Sequence, residues 1–247
     1  MRIPVFNEYF AIVTGLGTDT KKGIIRMKKY LLFDLDGTLT DPKIGITTCV
    51  QYALHSFGIE EPDLDKLEPF IGPPLKASFK EFYGLNEQQA RKAMDVYRER
   101  FAPIGVLENK IFPGTESLLK KAKDKGCRLA VASSKPYVFV KQILEHFGID
   151  GYFDVIVGSE LDGTRDAKEE VVEEALRQLG ILDMEQDKRR ERCAMIGDRK
   201  FDIYGAKAHG LTGVGVRFGF AGEGELEEAG ADYIAENMEE LADFLTC

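Results

Sequence analysis

The sequence predicts a doubly wound α/β protein with a mainly parallel sheet and an α-helical segment inserted after the first strand. Three features support this prediction. Short apolar runs alternate with helical patterns along most of the chain, most of these runs are continuous, and one long interval is helical throughout. A continuous apolar run is typical of a strand buried on both faces, as in a parallel sheet covered by helices.

The predicted strands are five short apolar runs and a weaker sixth run near the end of the chain. They are YLLFDL (30–35), RLAVAS (128–133), DVIVGS (154–159), CAMIGD (193–198), GVGVRF (213–218) and DYIA (232–235). Helical patterns between them cover 114–126, 137–148, 166–180 and 202–210. Strands that alternate with helices in this way indicate parallel pairing through helical crossovers.

The interval between the first two strands breaks this rhythm, because residues 44–102 have helical patterns only. Asn86 is a suitable residue for the start of the last of these helices. We predict a helical cap domain at 43–108, between the two parts of a catalytic core at 27–42 and 109–247. Ligands of open α/β sheets bind at the carboxyl ends of the strands, so a segment inserted there would cover the site.

The N-terminal residues 1–26 fit this arrangement poorly. MKKYLLFDLDGT, which begins at Met27, has the pattern of a short charged lead followed by a first strand. We predict that residues 1–26 are an extension outside the fold, and the alternative is an additional edge strand or arm.

Composition argues against several classes of partner. The chain of 247 residues carries a net charge of −9, and a nucleic-acid polymer is an unexpected partner for a protein with no large basic block. No apolar run reaches the length of a membrane span, so we expect no membrane association. The four cysteines are scattered without a CxxC pair, which predicts reduced thiols in a cytoplasmic protein.

Polar residues stand where the predicted strands end, and parallel strands would bring them to one edge of the sheet. They are Asp34, Asp36 and Gly37 after the first strand, Ser133 and Ser134 at the second, Lys168 in the turn after the third, and Asp198 and Asp202 at the fourth. Four carboxylates, hydroxyl groups and a lysine are typical of a magnesium-assisted phosphoryl-transfer site.

Each candidate has a chemical role that follows from its position. Asp34 comes directly from the buried strand and is the predicted nucleophile, which forms an aspartyl-phosphate. Asp36 is on the same side of an extended chain and is the predicted general acid and base. Asp41, before Pro42, marks the boundary where the inserted segment begins.

Magnesium is the predicted cofactor because it prefers oxygen ligands. Asp34, the backbone carbonyl of Asp36, and Asp198 are its expected protein ligands, and Asp202 is expected in the second coordination sphere or to bind through water. The predicted phosphate-binding residues, two of which also have a predicted catalytic role, are Gly37, Ser133, Ser134 and Lys168.

Simpler interpretations exist for the individual motifs. The DxDGT motif at 34–38 could be a surface turn. A calcium-binding EF-hand loop that starts at Asp34 is excluded. Such a loop needs glycine at its sixth position and a bidentate acid at its twelfth, and these positions are Leu39 and Gly45. Lys168 could be a solvated lysine in the first turn of a helix for which Asp166 is the expected N-cap, although a cation there opposes the helix dipole.

The chain resembles the haloacid dehalogenase (HAD) superfamily of phosphatases. The resemblance rests on DLDGTLTD (34–41), VASSK (131–135), Lys168 and MIGDRKFDIYGA (195–206), in the expected order. It implies a Rossmann-like core, a cap that closes over substrate, and Mg²⁺-dependent hydrolysis of a small phosphorylated metabolite. The nearest resemblance is to phosphoglycolate phosphatase-like proteins, some of which look like 5′-nucleotidases.

The cap segment FIGPPLKASF (70–79) is a feature of the same group of proteins. Gly72, Pro73 and Lys76 are possible specificity residues, although the segment could be a plain connection and Lys76 a solvated side chain. Phosphoglycolate or a nucleoside monophosphate is the expected substrate. A phosphotransferase or sugar-phosphate mutase is one alternative, and a non-catalytic regulatory or binding protein of the same fold is another.

Overall fold

The protein was analysed as a computed structural model that describes residues 28–246. The predicted N-terminal extension therefore lies outside the described residues, as does Cys247. The other three cysteines, Cys49, Cys127 and Cys193, are free and buried. None of the helices in the described part of the chain has the length and apolar character that a membrane-spanning segment needs.

The described residues contain eight strands, six of which form one parallel sheet. The strands are β1 (Tyr30–Phe33), β2 (Thr40–Asp41), β3 (Lys110–Ile111), β4 (Arg128–Pro136), β5 (Val155–Ser159), β6 (Cys193–Gly197), β7 (Thr212–Val216) and β8 (Tyr233–Ala235). The sheet has the order β5-β4-β1-β6-β7-β8, and every pair in it is parallel. The predicted fold class and all six predicted strands are confirmed.

The continuous apolar character of β1 follows from helices on both faces of the sheet. Leu31 and Phe33 belong to one buried cluster, whereas Leu32 between them belongs to another. Successive side chains of a strand point to opposite faces of the sheet. When helices cover both faces, every side chain is buried, and the sequence is apolar throughout instead of alternating between apolar and polar residues.

Ten helices accompany the strands within residues 28–246. They are α1 (Lys43–His55), α2 (Leu75–Tyr83), α3 (Glu87–Phe101), α4 (Thr115–Asp124), α5 (Tyr137–His146), α6 (Lys168–Gln178), α7 (Gln186–Arg192), α8 (Lys200–Ala208), α9 (Glu225–Glu228) and α10 (Met238–Thr246). The helices α7, α9 and α10 are additions to the predicted elements.

The inserted segment consists of α1, α2, α3 and two 3₁₀ helices at Leu64–Phe70 and Gly105–Leu107. Asn86 begins α3 as predicted: its side chain accepts from the Gln89 amide at 3.0 Å, and the Gln89 side chain accepts from the Asn86 amide at 2.9 Å. This reciprocal capping box satisfies two amides that the helix itself leaves unbonded.

The strands β2 and β3 form a small antiparallel ribbon that the sequence pattern did not predict. Thr40 pairs with Ile111, and Asp41 pairs with Lys110. The ribbon therefore joins the chain just before α1 to the chain just after the second 3₁₀ helix. Asp41 also accepts from the Lys43 amide at 3.0 Å, at the beginning of α1.

Candidate active site

The polar residues that follow β1 and β6, and those in the last part of β4, lie together at the carboxyl edge of the sheet, as predicted. Phe33, the last residue of β1, is in register with Val131 of β4 and with Ile196 of β6. The Asp34 amide continues this pairing by donating to the Ile196 carbonyl at 2.9 Å. The chain positions of Asp34, Ser133 and Asp198 therefore fall at nearly the same level across three neighbouring strands.

Lys168 lies between two of the carboxylates. Its Nζ is 2.9 Å from Asp34 Oδ1 and 2.9 Å from Asp202 Oδ1, and it donates to the Ala132 carbonyl at 3.0 Å. All three ionic side chains are almost completely buried. Burial alone would lower the pKa of Lys168, but the charges of Asp202 and Asp34 outweigh it and raise that pKa. Lys168 is therefore a buried, charged lysine and not a solvated one.

The start of α6 differs from the prediction that Asp166 caps this helix. Ala167 is the residue before the helix, with extended backbone (φ −70°, ψ 136°), and no side chain caps it. Arg165 has a left-handed φ of 59°, so the chain turns before it reaches the helix. Asp166 lies one residue too early to serve as N-cap, and it lines the cavity above the site.

Asp34, Asp198 and Asp202 form a group that fits a metal ion. Each offers one carboxylate oxygen, and these atoms lie within 4.8 Å of one another. Asp198 Oδ2 accepts from the Phe220 amide at 2.8 Å, whereas Asp198 Oδ1 is buried and has no hydrogen-bond partner among the described residues. A buried carboxylate oxygen without a partner is costly, and a hard cation such as Mg²⁺ would satisfy it.

The same burial changes the proton affinity of two of these groups, Asp198 and Asp202. Burial, followed by the charges of Asp202 and Asp34, raises the pKa of Asp198 well above its usual range. Burial also raises the pKa of Asp202 to about 6, against the opposing charge of Lys168. In the protein without a cation, the carboxylates are thus held in an environment that disfavours their charge.

Gly37 brings the chain after β1 against Asp198. Its φ is +79°, and a Cβ atom at this position would overlap the Asp198 carboxylate. The Gly37 amide donates to the Thr40 carbonyl at 2.8 Å, within the turn that leads to β2. The observed contribution of Gly37 is therefore this close approach, and its role in phosphate binding stays a prediction.

Asp36 faces a second lysine, to which the sequence analysis assigned no role. Lys135 Nζ forms an ion pair with Asp36 Oδ2, and both side chains are buried. Burial raises the pKa of Asp36, and the charge of Lys135 opposes that shift. Lys135 also lies 5.1 Å from the centre of the Phe101 ring of α3. One feature of the sequence could have indicated that Lys135 belongs to the site. Lys135 lies two residues after Ser133 in an extended strand, and residues two apart in a strand point to the same side of the sheet.

Ser133 and Ser134 both line the cavity above the carboxylates. Ser133 is buried, and its Oγ accepts from the Lys135 amide at 3.4 Å. The Ser134 carbonyl accepts from the Ser159 hydroxyl at 2.8 Å, which joins the end of β4 to the end of β5. These contacts hold the chain of VASSK at the edge of the cavity.

The inserted helices form the far wall of this cavity. The apolar lining residues are Ile46, Phe70, Leu75, Met94, Tyr97 and Phe101 from the insertion, and Phe139 from α5. Phe101 and Phe139 pack edge to face with their centres 5.2 Å apart, so the insertion contacts the core beside the cavity. Besides Asp34 and Asp36, the charged residues that line the cavity are Lys76, Arg98, Lys135, Glu160 and Asp166.

The predicted specificity residues Gly72, Pro73 and Lys76 also line the cavity. Pro74 precedes α2 directly, as expected for a turn that leads into a helix. Lys76 is 41% exposed and forms an ion pair with Glu87 at 3.1 Å. Arg98 is half-buried, and its side chain has no ion pair or hydrogen bond within residues 28–246, so its guanidinium is less constrained than the Lys76 ammonium.

Comparison with known proteins places the chain in one family. Residues 31–216 match the family described as haloacid dehalogenase-like hydrolase. The chain therefore belongs to this family and is a HAD-type phosphatase, a phosphoric monoester hydrolase, with the parallel sheet of that fold.

Individual relatives are similar to most of the length of this chain. A 5′-nucleotidase from Pseudomonas aeruginosa is 49% identical over 196 residues, covering 79% of this chain and 86% of that protein. Tyrosine-protein kinase PtkA from Mycobacterium tuberculosis is 36% identical over 217 residues, covering 87% and 72%. A crystal structure described as a predicted phosphatase from Clostridium acetobutylicum has a TM-score of 0.83 and 47% identity, covering 88% of this chain and 98% of that one.

Proposed function

We propose that the protein hydrolyses a small phosphomonoester through an aspartyl-phosphate at Asp34, with Mg²⁺ as cofactor. The observation that supports this most strongly is the environment of the Asp34 carboxylate. It lies 2.9 Å from the buried Lys168 ammonium and within the group of three aspartates that fits a cation. A nucleophile held in this way can approach an anionic phosphate, because positive charge offsets the repulsion between them.

In the first step, an Asp34 oxygen attacks phosphorus and the bond from phosphorus to the ester oxygen breaks. Asp36 gives its proton to the departing oxygen, which leaves as an alcohol. In the second step, a water molecule attacks the phosphorus of the aspartyl-phosphate, and Asp36 takes up a proton from it. Phosphate leaves, and the Asp34 carboxylate is restored.

The remaining residues bind and orient the phosphoryl group. Lys168 neutralises charge on Asp34 and the phosphoryl oxygens, and Ser133 donates a hydrogen bond to one of them. Asp34, the Asp36 carbonyl and Asp198 would hold Mg²⁺, with Asp202 beside them. When bound, the ion offsets the charge of the phosphoryl group. Lys135 holds the Asp36 side chain in place at the end of the strand.

We infer a nucleoside monophosphate as the favoured substrate and phosphoglycolate as the second candidate. The aromatic and apolar wall of the cavity suits a leaving group with a flat aromatic ring, which the base of a nucleoside provides and glycolate does not. The 49% identity to a protein named 5′-nucleotidase supports the same choice. We propose residues 43–108 as the cap that provides this wall.

A phosphotransferase is the alternative that a specific observation favours. The chain is 36% identical to a protein named tyrosine-protein kinase PtkA. In such a reaction the hydroxyl group of an acceptor molecule replaces water in the second step. The residues proposed above for hydrolysis would have the same roles in this transfer. The combination of Asp34, Lys168 and Asp198 argues against the other alternative, a non-catalytic binding protein of the same fold.

The test is phosphate release from adenosine monophosphate, phosphoglycolate and an aryl phosphate, measured with Mg²⁺ and with a chelator. We expect release that requires Mg²⁺ and is fastest for the nucleotide. Faster turnover of phosphoglycolate would contradict the substrate assignment alone. Transfer of the phosphoryl group to an added tyrosine peptide, without free phosphate, would favour the phosphotransferase. Absence of any turnover with Mg²⁺ would contradict the proposed function.

A further inference from the structure

Arg199 lies between the carboxylate cluster and the inserted helices. It follows Asp198 directly, and its amide donates to Asp202 Oδ2 at 3.0 Å, so its backbone belongs to the candidate metal site. Its side chain is only 11% exposed and extends away from that site towards the insertion. The mechanism proposed above assigns it no role.

The guanidinium group forms hydrogen bonds with two other parts of the chain. Nη1 donates to the carbonyl of Ile71, in the segment before α2. Nε donates to Glu225 Oε1 at 2.9 Å, at the beginning of α9. Glu225 also accepts from the amides of Lys200 at 2.8 Å and Gly222 at 3.1 Å, so it is itself held by backbone.

Gly72 shows how closely the inserted segment approaches Arg199. Its φ is +104°, a conformation that favours glycine, and a Cβ atom there would lie 2.9 Å from Arg199 Cγ. The chain of the insertion therefore lies directly on the aliphatic stem of Arg199, while the carbonyl of the preceding residue accepts from its guanidinium.

The segment that Arg199 holds is part of the cavity wall. Phe70, Gly72, Pro73, Pro74, Leu75 and Lys76 line the cavity. A displacement of the Ile71 carbonyl would move this wall relative to Asp34 and Asp36, which line the same cavity. A small misplacement of groups that position a substrate is costly in rate.

We propose that Arg199 is a positioning residue that fixes the wall segment 70–76 against the loop of Asp198, with Glu225 as its charged support. It acts on the part of the cavity that contacts the leaving group, not on the phosphoryl group. Its contribution is therefore larger for a substrate whose leaving group reaches the wall than for one whose leaving group does not. The kinetic part of this inference rests on the proposed phosphatase function.

The experiment compares Arg199→Gln, Arg199→Lys and Gly72→Ala with wild type in the full chain. Arg217→Gln is the matched control, because Arg217 forms ion pairs with Glu227 and Glu236 on the surface and has no contact with the insertion among the described residues. The substrates are adenosine monophosphate, which is large enough to reach the wall, and acetyl phosphate, which is not. Hydrogen exchange of the peptides that contain residues 70–79 is measured in the same proteins.

For Arg199→Gln we expect kcat/KM for adenosine monophosphate to fall by about 10-fold or more, the effect of losing one charged hydrogen bond. Acetyl phosphate should be hydrolysed at nearly the wild-type rate. Arg199→Lys, which retains a donor, should recover part of the loss, and Gly72→Ala should reproduce it. Peptides that contain residues 70–79 should exchange hydrogen faster than in wild type in Arg199→Gln and Gly72→Ala. In Arg217→Gln their exchange should equal that of wild type.

An equal loss for both substrates would overturn the proposal, because it would indicate a general defect of the fold or the metal site. Wild-type exchange of residues 70–79 in Arg199→Gln would overturn it as well. If wild type hydrolyses neither substrate, the proposed function fails, and hydrogen exchange alone still decides whether Arg199 holds this segment.

Discussion

Lys168 is the residue on which the charge balance of the site depends. Two buried carboxylates, Asp34 and Asp202, each lie 2.9 Å from its ammonium group. Removal of one member of a buried ion pair leaves an uncompensated charge, which is more costly than the pair itself. The same lysine therefore contributes to stability and, in the proposed mechanism, to phosphoryl transfer.

Lys168→Met should lower kcat/KM by at least about 100-fold, as expected when a group that stabilises transition-state charge is removed. It should also lower the free energy of unfolding of the metal-free protein by about 3–5 kcal/mol, because Asp34 and Asp202 lose their cation. Steady-state kinetics and urea unfolding measure the two effects. The control is Lys141→Met, which removes an exposed lysine paired with Glu145. Wild-type kinetics in Lys168→Met would contradict its role.

Residues placed in the site by the end of a strand or the start of a helix could be predicted from the sequence, whereas the partners of Lys135 and Arg199 could not. Asp34 and Asp198 stand at the ends of buried strands, so parallel pairing was enough to bring them together. Lys135 and Arg199 reach Asp36 and Ile71 through flexible side chains. The destination of such a side chain depends on which tertiary partner is nearest, and no local pattern encodes that partner.

At the scale of secondary-structure elements, the strands and helices with a clear pattern of apolar residues were predicted from the sequence. The short elements were not. Six strands and most helices follow from buried faces that repeat along the chain. The ribbon of β2 and β3 has two residues in each strand, which is too few for a pattern, and its pairing joins positions about 70 residues apart. The helix α7 has no buried residue, so it has no apolar face by which to recognise it.

Helix α3 supplies the cation that we expect to select the leaving group. Arg98 lines the cavity, and its guanidinium has no ion pair or hydrogen bond within the described residues, so it is available to a substrate. Arg98→Gln should raise KM for adenosine monophosphate by about 10-fold, the effect of one lost charged hydrogen bond, with little change in kcat. Arg91→Gln on the same helix is the control, since Arg91 is exposed and pairs with Glu87. An unchanged KM in Arg98→Gln would show that this arginine does not contact substrate.

At the scale of the whole molecule, we expect the carboxylate cluster to reduce the stability of the protein, and a bound cation to restore it. Asp34, Asp198 and Asp202 are buried close together, and burial raises the pKa of both Asp198 and Asp202. A ligand that binds only the folded state adds about 2.7 kcal/mol when its concentration is 100 times its Kd. Mg²⁺ should therefore raise Tm by several degrees in a thermal unfolding experiment.

The variant Asp198→Asn separates this effect from non-specific salt effects. Without Mg²⁺ it should be at least as stable as wild type, because it removes a buried charge while an amide oxygen can still accept from Phe220. With Mg²⁺ its Tm should not rise. A Tm increase equal to that of wild type would mean that the ion binds elsewhere.

The most direct test of the proposed mechanism is the detection of a phosphoryl group on Asp34. A reaction of wild type with adenosine monophosphate and Mg²⁺ is stopped with acid, and its peptides are analysed by mass spectrometry, beside Asp34→Asn and the matched control Asp41→Asn. Asp41 accepts from the Lys43 amide at the beginning of α1, which asparagine can also do. We predict phosphorylated Asp34 and phosphate release in wild type and in Asp41→Asn, and neither in Asp34→Asn. Turnover by Asp34→Asn at the wild-type rate, or a phosphoryl group on another residue, would contradict the account.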